Sequence, residues 1–226
     1  MARVRRKTEW SKVAFWFVFI TLILSIVYAV VRIVLSPSGA VDGIEHDKMK
    51  SDYALMLIQC VLGVCVLFLP SALERRLKVS IPQPMYIAFM IFMYCAIYLG
   101  EVRSFYYRIP FWDSILHAFS GAMLGALGFV VIQLLNDQKD VRVELSPAFV
   151  SLFAFCFGLT CGTIWEIYEF TFDWLLKLNM QKFMLESGEA LTGQAALLDT
   201  MKDIIVDAAA AFAVTFGPYF ARKAKR

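Results

Sequence analysis

Charge is scarce in this chain, and histidine is scarcer still. Asp, Glu, Lys and Arg together make up 18% of the 226 residues, against 60% hydrophobic and 15% aromatic residues. So little charge over so much apolar surface excludes an ordinary soluble domain. The two histidines, His46 and His117, are too few for a three-histidine zinc site. The five cysteines contain no CxxC pair, and an odd count excludes a closed disulfide framework. All of them fall in apolar stretches, where a thiol reads as a small packing side chain. Tandem repeats, low-complexity tracts and interdomain linkers are also missing, so residues 1–226 read as one integral membrane domain. A net charge of +3 asks for no nucleic acid partner, because basic tails serve as topology signals and contacts to lipid headgroups.

What the chain does have is about six long apolar runs, at 13–35, 53–70, 84–100, 112–135, 148–178 and 204–221. A bilayer crossing takes about 20 residues at about 1.5 Å each, so the third run is short and the fifth is long enough to tilt or to project into water. A buried helix of a soluble protein accounts for any one run, but not for so many in succession. The expected fold is therefore all-α, a polytopic transmembrane helix bundle. Basic residues before the first run also suit a cleaved signal peptide, yet that run exceeds a usual signal core, and a retained first span is expected. With an even number of spans, one side receives Arg3, Arg5, Arg6, Lys7 and Lys12, then Arg75, Arg76 and Lys78, then Lys139 and Arg142, and finally Arg222, Lys223, Lys225 and Arg226. The positive-inside rule then predicts that both termini are cytoplasmic.

Against this background the acids inside the last three runs stand out. The stretch FWDSILHAFSGAMLGALGF carries Asp113 and His117 four residues apart. Four residues advance a helix by 400° and about 6 Å, so the two share nearly one face, with His117 deeper. That face continues through Gly121 and Gly125, a GxxxG pair that lets another helix approach closely, within the chain or in a homodimer. The stretch GLTCGTIWEIYEFTFDWLL places Glu166, Glu169 and Asp173 on one flank. Such crowding is tolerated only where water, protons, cations or a metal offset the repulsion. Gly162, one turn before Glu166, is the expected contact for the Gly121–Gly125 ridge. The stretch LDTMKDIIVDAAAAF repeats Asp199, Asp203 and Asp207 every four residues, followed by alanines that again permit close packing.

With cytoplasmic termini, all three helices bring their acids toward the outer side of the membrane. An ionised carboxylate in hydrocarbon costs several kcal/mol unless it is paired or faces a cavity, which makes intramembrane acids functional candidates. The expected metal-ligating pocket comprises Asp113, His117, Glu166, Glu169, Asp203 and Asp207. Oxygen donors favour a divalent cation such as Mg²⁺, Mn²⁺ or Ca²⁺ over zinc. Without a metal, His117, Glu166 and Asp207 are the expected catalytic groups, a general acid and base pair with His117 carrying the proton. Asp113, Asp173 and Asp199 also suit plain interfacial roles, Asp113 as a helix cap and Asp199 as a solvated side chain. In the loop GEVRSFYYRIPFW, Arg103, Arg108 and Tyr107 are candidates for holding an anionic envelope lipid, since a guanidinium suits phosphate and aromatics suit headgroup depth. The same loop also suits a plainer role, in which Arg108 neutralises the acids and the aromatics anchor the helix. His46, in a polar loop, reads as solvated surface.

Taken together, WDSILHAFSG, GTIWEIYEF and DTMKDIIVDAAAA resemble the bacterial membrane-spanning protein group related to the YjdF and VanZ-like families, over roughly residues 101–213. That resemblance implies a multi-pass protein of the bacterial inner membrane, with Asp113, His117, Glu166 and Asp207 as its family-like core. VanZ-like proteins are associated with teicoplanin resistance, but the resemblance implies no reaction, and the extra acidic turn at Glu169 and the longer connections depart from it. Three classes of function stay open: an enzyme acting on an envelope lipid or isoprenoid phosphate, a binder or transporter of a cation, proton or drug, and an accessory scaffold whose acids are structural. Residues 36–40, SPSGA, lack the histidine of a lipid-phosphatase PSGH motif, and no histidine is placed to serve Ser120 as in a rhomboid-type serine site.

Overall fold

The computed structural model describes residues 9–35, 50–77, 80–136, 145–184 and 189–223. Arg3, Arg5, Arg6, Lys7, Lys78, Lys139, Arg142, Lys225 and Arg226, with residues 36–40 and His46, lie outside the described residues. The described chain is helical almost throughout, and its extended pairing is a single antiparallel bridge between Met184 and Ala190. Six helical segments are long and apolar enough to cross a bilayer, Glu9–Leu35, Asp52–Arg76, Gln83–Val102, Trp112–Gln133, Pro147–Leu176 and Gln194–Lys223. The all-α polytopic expectation is borne out. The last segment starts well before residue 204, because Asp199 and Asp203 lower the hydropathy of its first turns while the backbone is already helical.

The helices are α1 (Glu9–Leu35), α2 (Lys50–Leu67), α3 (Leu69–Leu77), α4 (Gln83–Met93), α5 (Phe105–Arg108), α6 (Trp112–Asn136), α7 (Pro147–Leu176) and α8 (Gln194–Lys223); residues Tyr94–Val102 extend α4 as a π-helix. Local chemistry marks both ends of α7. Ser146 caps α7 by accepting Phe149 N–H at 3.3 Å, and Pro147 takes the first helical position, where a missing N–H does no harm. Lys177 ends the same helix in the left-handed conformation, φ 56°.

The chain divides into two compact units, Met1–Trp112 and Asp113–Arg226. In the first, Leu22 and Ala29 of α1, Met56, Cys60 and Leu67 of α2 and Met90 of α4 form the buried core. Arg32 donates from Nε to Tyr53 Oη at 2.9 Å while its guanidinium lies 5.1 Å from the ring centroid. The cysteines behave less uniformly than their apolar settings suggest. Cys60 is packed, but Cys65 and Cys156 face outward and Cys95 and Cys161 are half-buried. A thiol is apolar enough to be tolerated on a lipid-type surface as well as in a core.

The second unit holds α6, α7 and α8. Glycines set their spacing: a Cβ on Gly125 would lie 3.4 Å from the Ala211 Cα, one on Gly158 would lie 2.9 Å from the Gly125 nitrogen, and one on Gly128 would lie 2.6 Å from the Ala154 Cα. These contacts run α6 parallel to α8 and antiparallel to α7. Gly121 meets the backbone of Asp207, and Gly162 meets the Asp207 side chain. Gly162 meets the Gly121 turn through Asp207 of α8. The Asp207 turn of α8 lies against both glycines, and Gly158 takes the place opposite Gly125.

Candidate functional site

Asp207 is closely held in the second unit. It lies on a stripe of α8 that repeats every four residues through Asp203, Asp207, Ala211 and Thr215, all buried. A Cβ on Gly121 would lie 2.9 Å from the Asp207 Cα, and one on Gly162 would lie 2.9 Å from its Cγ, so only glycine at both positions leaves room for this carboxylate. Ser120 Oγ lies 3.2 Å from Asp207 Oδ1, and His117 Nδ1 lies 3.1 Å from Oδ2. This Nδ1–Oδ2 bond fixes the plane of the imidazole and turns its other nitrogen away from Asp207.

That orientation points Nε2 at three further carboxylates. Glu166 Oε1 is 3.7 Å away, Asp113 Oδ1 3.9 Å and Asp203 Oδ2 3.9 Å. All three distances are too long for a hydrogen bond. The side chains nevertheless have little access to solvent, with exposures of 7% for His117, 3% for Glu166, 2% for Asp203 and 1% for Asp207. Glu166 Oε1 and Asp203 Oδ1 are buried without a hydrogen-bond partner. Buried carboxylate oxygens are normally paired, because leaving one unsatisfied costs about 1–3 kcal/mol or more.

At the other end of the cluster a lysine enters from the connection between α7 and α8. Lys182 Nζ contacts Asp113 Oδ2 and lies 3.9 Å from Asp199 Oδ2. Burial works against its ammonium, but Asp113 and Asp199 more than offset that effect and hold its pKa above the usual value. The connection is itself tightly bonded. Asp173 accepts Met180 N–H at 2.8 Å and Gln181 N–H at 2.9 Å, and Asn179 bonds both the nitrogen and the oxygen of Met184. The Gln181 amide donates to Thr200 Oγ1 at 2.8 Å.

One ligand atom each from Asp113, His117 and Asp203 lies within 4.8 Å of the others. Donors about 2.1–2.4 Å from a hard divalent ion are separated by no more than about 4.2–4.8 Å, so this trio can share one ion, with Glu166 adjacent. Holding Nδ1 of a ligating imidazole with a carboxylate is also the usual outer support of a metal-bound histidine, and Asp207 has that place.

The structure thus gathers Asp113, His117, Glu166, Asp203 and Asp207 and gives them unequal positions. Asp207 stands behind His117. Glu169, half-buried, accepts Trp165 Nε1–H at 2.9 Å and stands outside the converging trio. Arg103 follows the π-helical segment and Tyr107 and Arg108 form part of α5, in the first unit. Asp199, expected as a solvated side chain, is half-buried at ion-pair distance from Lys182, and Asp173 anchors the connection. Sequence reasoning missed Lys182 altogether, since a lysine in a polar connection carries no periodic signal. The role of Ser120 was legible in principle, three residues after His117 on the same side of α6.

An uncharacterized protein of Thermotoga maritima is 31% identical to this chain over 141 residues, 62% of the chain and 64% of the relative. The chain thus spans less than two thirds of that protein's length. No solved structure matches. The match that runs from residue 14 to residue 224, from the first long helix into the last, shows that the chain belongs to the family described as predicted membrane protein (DUF2238).

Proposed function

We propose that this membrane protein binds a divalent cation, Mg²⁺, Mn²⁺ or Ca²⁺, through Asp113, His117 and Asp203 with Glu166 alongside, and acts on or senses an envelope lipid or isoprenoid phosphate there. The observation that carries the reading is the pair of buried oxygens without a hydrogen bond, Glu166 Oε1 and Asp203 Oδ1, beside an imidazole that Asp207 holds by its far nitrogen. A divalent ion supplies the charge these groups lack, and polarising a phosphoryl oxygen is the chemistry such an ion offers. In this reading the protein is a multi-pass protein of the bacterial inner membrane with cytoplasmic termini, kin to the YjdF and VanZ-like families. The pocket opens on the outer side; Arg103, Arg108 and Tyr107, in the first unit, are candidates in their own right for contact with an anionic headgroup.

The competing reading is a structural network in a scaffold, favoured by Asp207, both of whose oxygens have partners. Metal content and thermal unfolding of the detergent-purified protein separate the two. Wild type is expected to hold about one divalent ion per chain and to gain about 2.7 kcal/mol of stability at a free-ion concentration 100 times Kd. Glu166→Gln and Asp207→Asn are expected to stay folded and lose that gain. Absence of metal in wild type, with unfolding of both variants, would leave the scaffold reading in its place.

A further inference from the structure

Lys182 shares a carboxylate with the proposed cation site. It contacts Asp113 through Oδ2, while Asp113 Oδ1 faces His117 Nε2 at 3.9 Å. Its second acceptor, Asp199, stands outside the converging Asp113–His117–Asp203 group and lies one helical turn before Asp203 on α8. Glu169 also acts on this ammonium, but Asp199 is the acid beyond the site that lies at ion-pair distance from it.

The backbone is arranged to deliver it. Lys182 has φ 50°, a left-handed conformation that disfavours any residue with a Cβ, and no glycine stands in its place. The bonds from Asp173 to residues 180 and 181, the Asn179 bonds to Met184 and the Leu191 N–H bond to Phe183 O at 2.8 Å hold the connection on either side of it. This bonding holds the left-handed turn in place and, with it, Lys182 at Asp113.

We infer that Lys182 is a tethered competitor in the cation site: its ammonium and a divalent ion contend for Asp113, and Asp199 receives the ammonium when the ion takes Asp113. The inference rests on the cation-site reading above and adds a residue that determines affinity and selectivity. An ammonium on Oδ2 and a divalent ion on Oδ1 of one carboxylate repel each other across a few ångströms, and in surroundings of low polarity that repulsion favours the ammonium moving to Asp199. A divalent ion, which gains more from Asp113, Asp203 and Glu166 together, displaces the ammonium, whereas a monovalent ion gains too little. The lysine thereby discriminates by charge.

The test is Mn²⁺ binding to the purified full chain, followed by calorimetry or electron paramagnetic resonance. Lys182→Met is expected to bind Mn²⁺ about tenfold more tightly or better, and to accept monovalent ions that wild type rejects, because a fixed positive charge has gone. Lys182→Arg, keeping the charge, is expected to stay near wild type. Asp199→Asn is expected to weaken Mn²⁺ binding several-fold, and clearly less so when combined with Lys182→Met, since the acceptor then has no ammonium to receive. Lys182→Gln repeats the test with a polar head should the Met variant fail to fold. Equal or weaker binding by the folded uncharged variants, with wild type binding normally, overturns the competition and leaves the cation site standing. No Mn²⁺ bound by wild type or by either uncharged variant, all folded, overturns the site reading and the competition with it.

Discussion

At the scale of single residues the decisive feature is room for one carboxylate. Asp207 fits because neither Gly121 nor Gly162 has a Cβ, and the position of Asp207 in turn sets which nitrogen His117 presents to Glu166, Asp113 and Asp203. Gly162→Ala would place a methyl 2.9 Å from the Asp207 Cγ and closer still to Oδ2. The carboxylate must then shift, and the imidazole with it. The expected outcome is a loss of about 1–3 kcal/mol of stability, the usual cost of overpacking, with Mn²⁺ affinity about 10- to 100-fold weaker, as for other losses of outer support to a metal-bound histidine. Thermal unfolding with and without Mn²⁺ reads both effects. Unchanged affinity in a folded Gly162→Ala protein would mean that Asp207 does not orient the site.

At the scale of elements, close helix packing and a bonded connection do separate jobs. Gly128 lies away from the acids, and a Cβ there would come 2.6 Å from the Ala154 backbone, which no rotamer change relieves. Gly128→Ala is therefore expected to push α6 from α7 and lower thermal stability, while Mn²⁺ binding in the protein that stays folded changes little. Asp173 acts on the connection instead. Asp173→Ala leaves the Met180 and Gln181 N–H groups without their carboxylate, at an expected cost of about 1–3 kcal/mol. Hydrogen exchange at those two amides should quicken well before exchange along α7 and α8. Uniform quickening along all three elements would instead show that Asp173 supports the whole unit.

At the scale of the whole molecule the question is which way the acids face. The basic residues named above predict cytoplasmic termini, and with six spans this puts the α7–α8 connection on the opposite side. A fluorescent protein fused after Arg226 is expected to be bright in cells, because it folds in the cytoplasm. A phosphatase inserted at Glu189, in the connection, is expected to be active, because it needs the oxidising outer compartment. The reverse pattern would turn the cluster toward the cytoplasm and remove envelope lipids of the outer leaflet as its ligands.

Hydropathy alone was enough to determine the six helices, since a long apolar run has few alternatives to a membrane helix once backbone hydrogen bonds must be satisfied internally. It also determined which acids share a helical face, because a 3.6-residue period is a local property: Asp113 with His117, and Asp199 with Asp203 and Asp207. What the sequence could not give was the ranking of these acids. Depth and spacing made Glu166 and Asp207 look alike, yet the fold sets Asp207 behind the imidazole and leaves Glu166 in front of it with an oxygen that makes no hydrogen bond. That difference depends on which glycine faces which helix, and glycine carries no mark of its neighbour. Lys182 escaped for the same reason at longer range, because its meeting with Asp113 is made by a turn whose hydrogen bonds have no periodicity to read. Local rules specify the helices and their faces; only the packing of one helix on another, and the path of the chain between them, decides which charges meet.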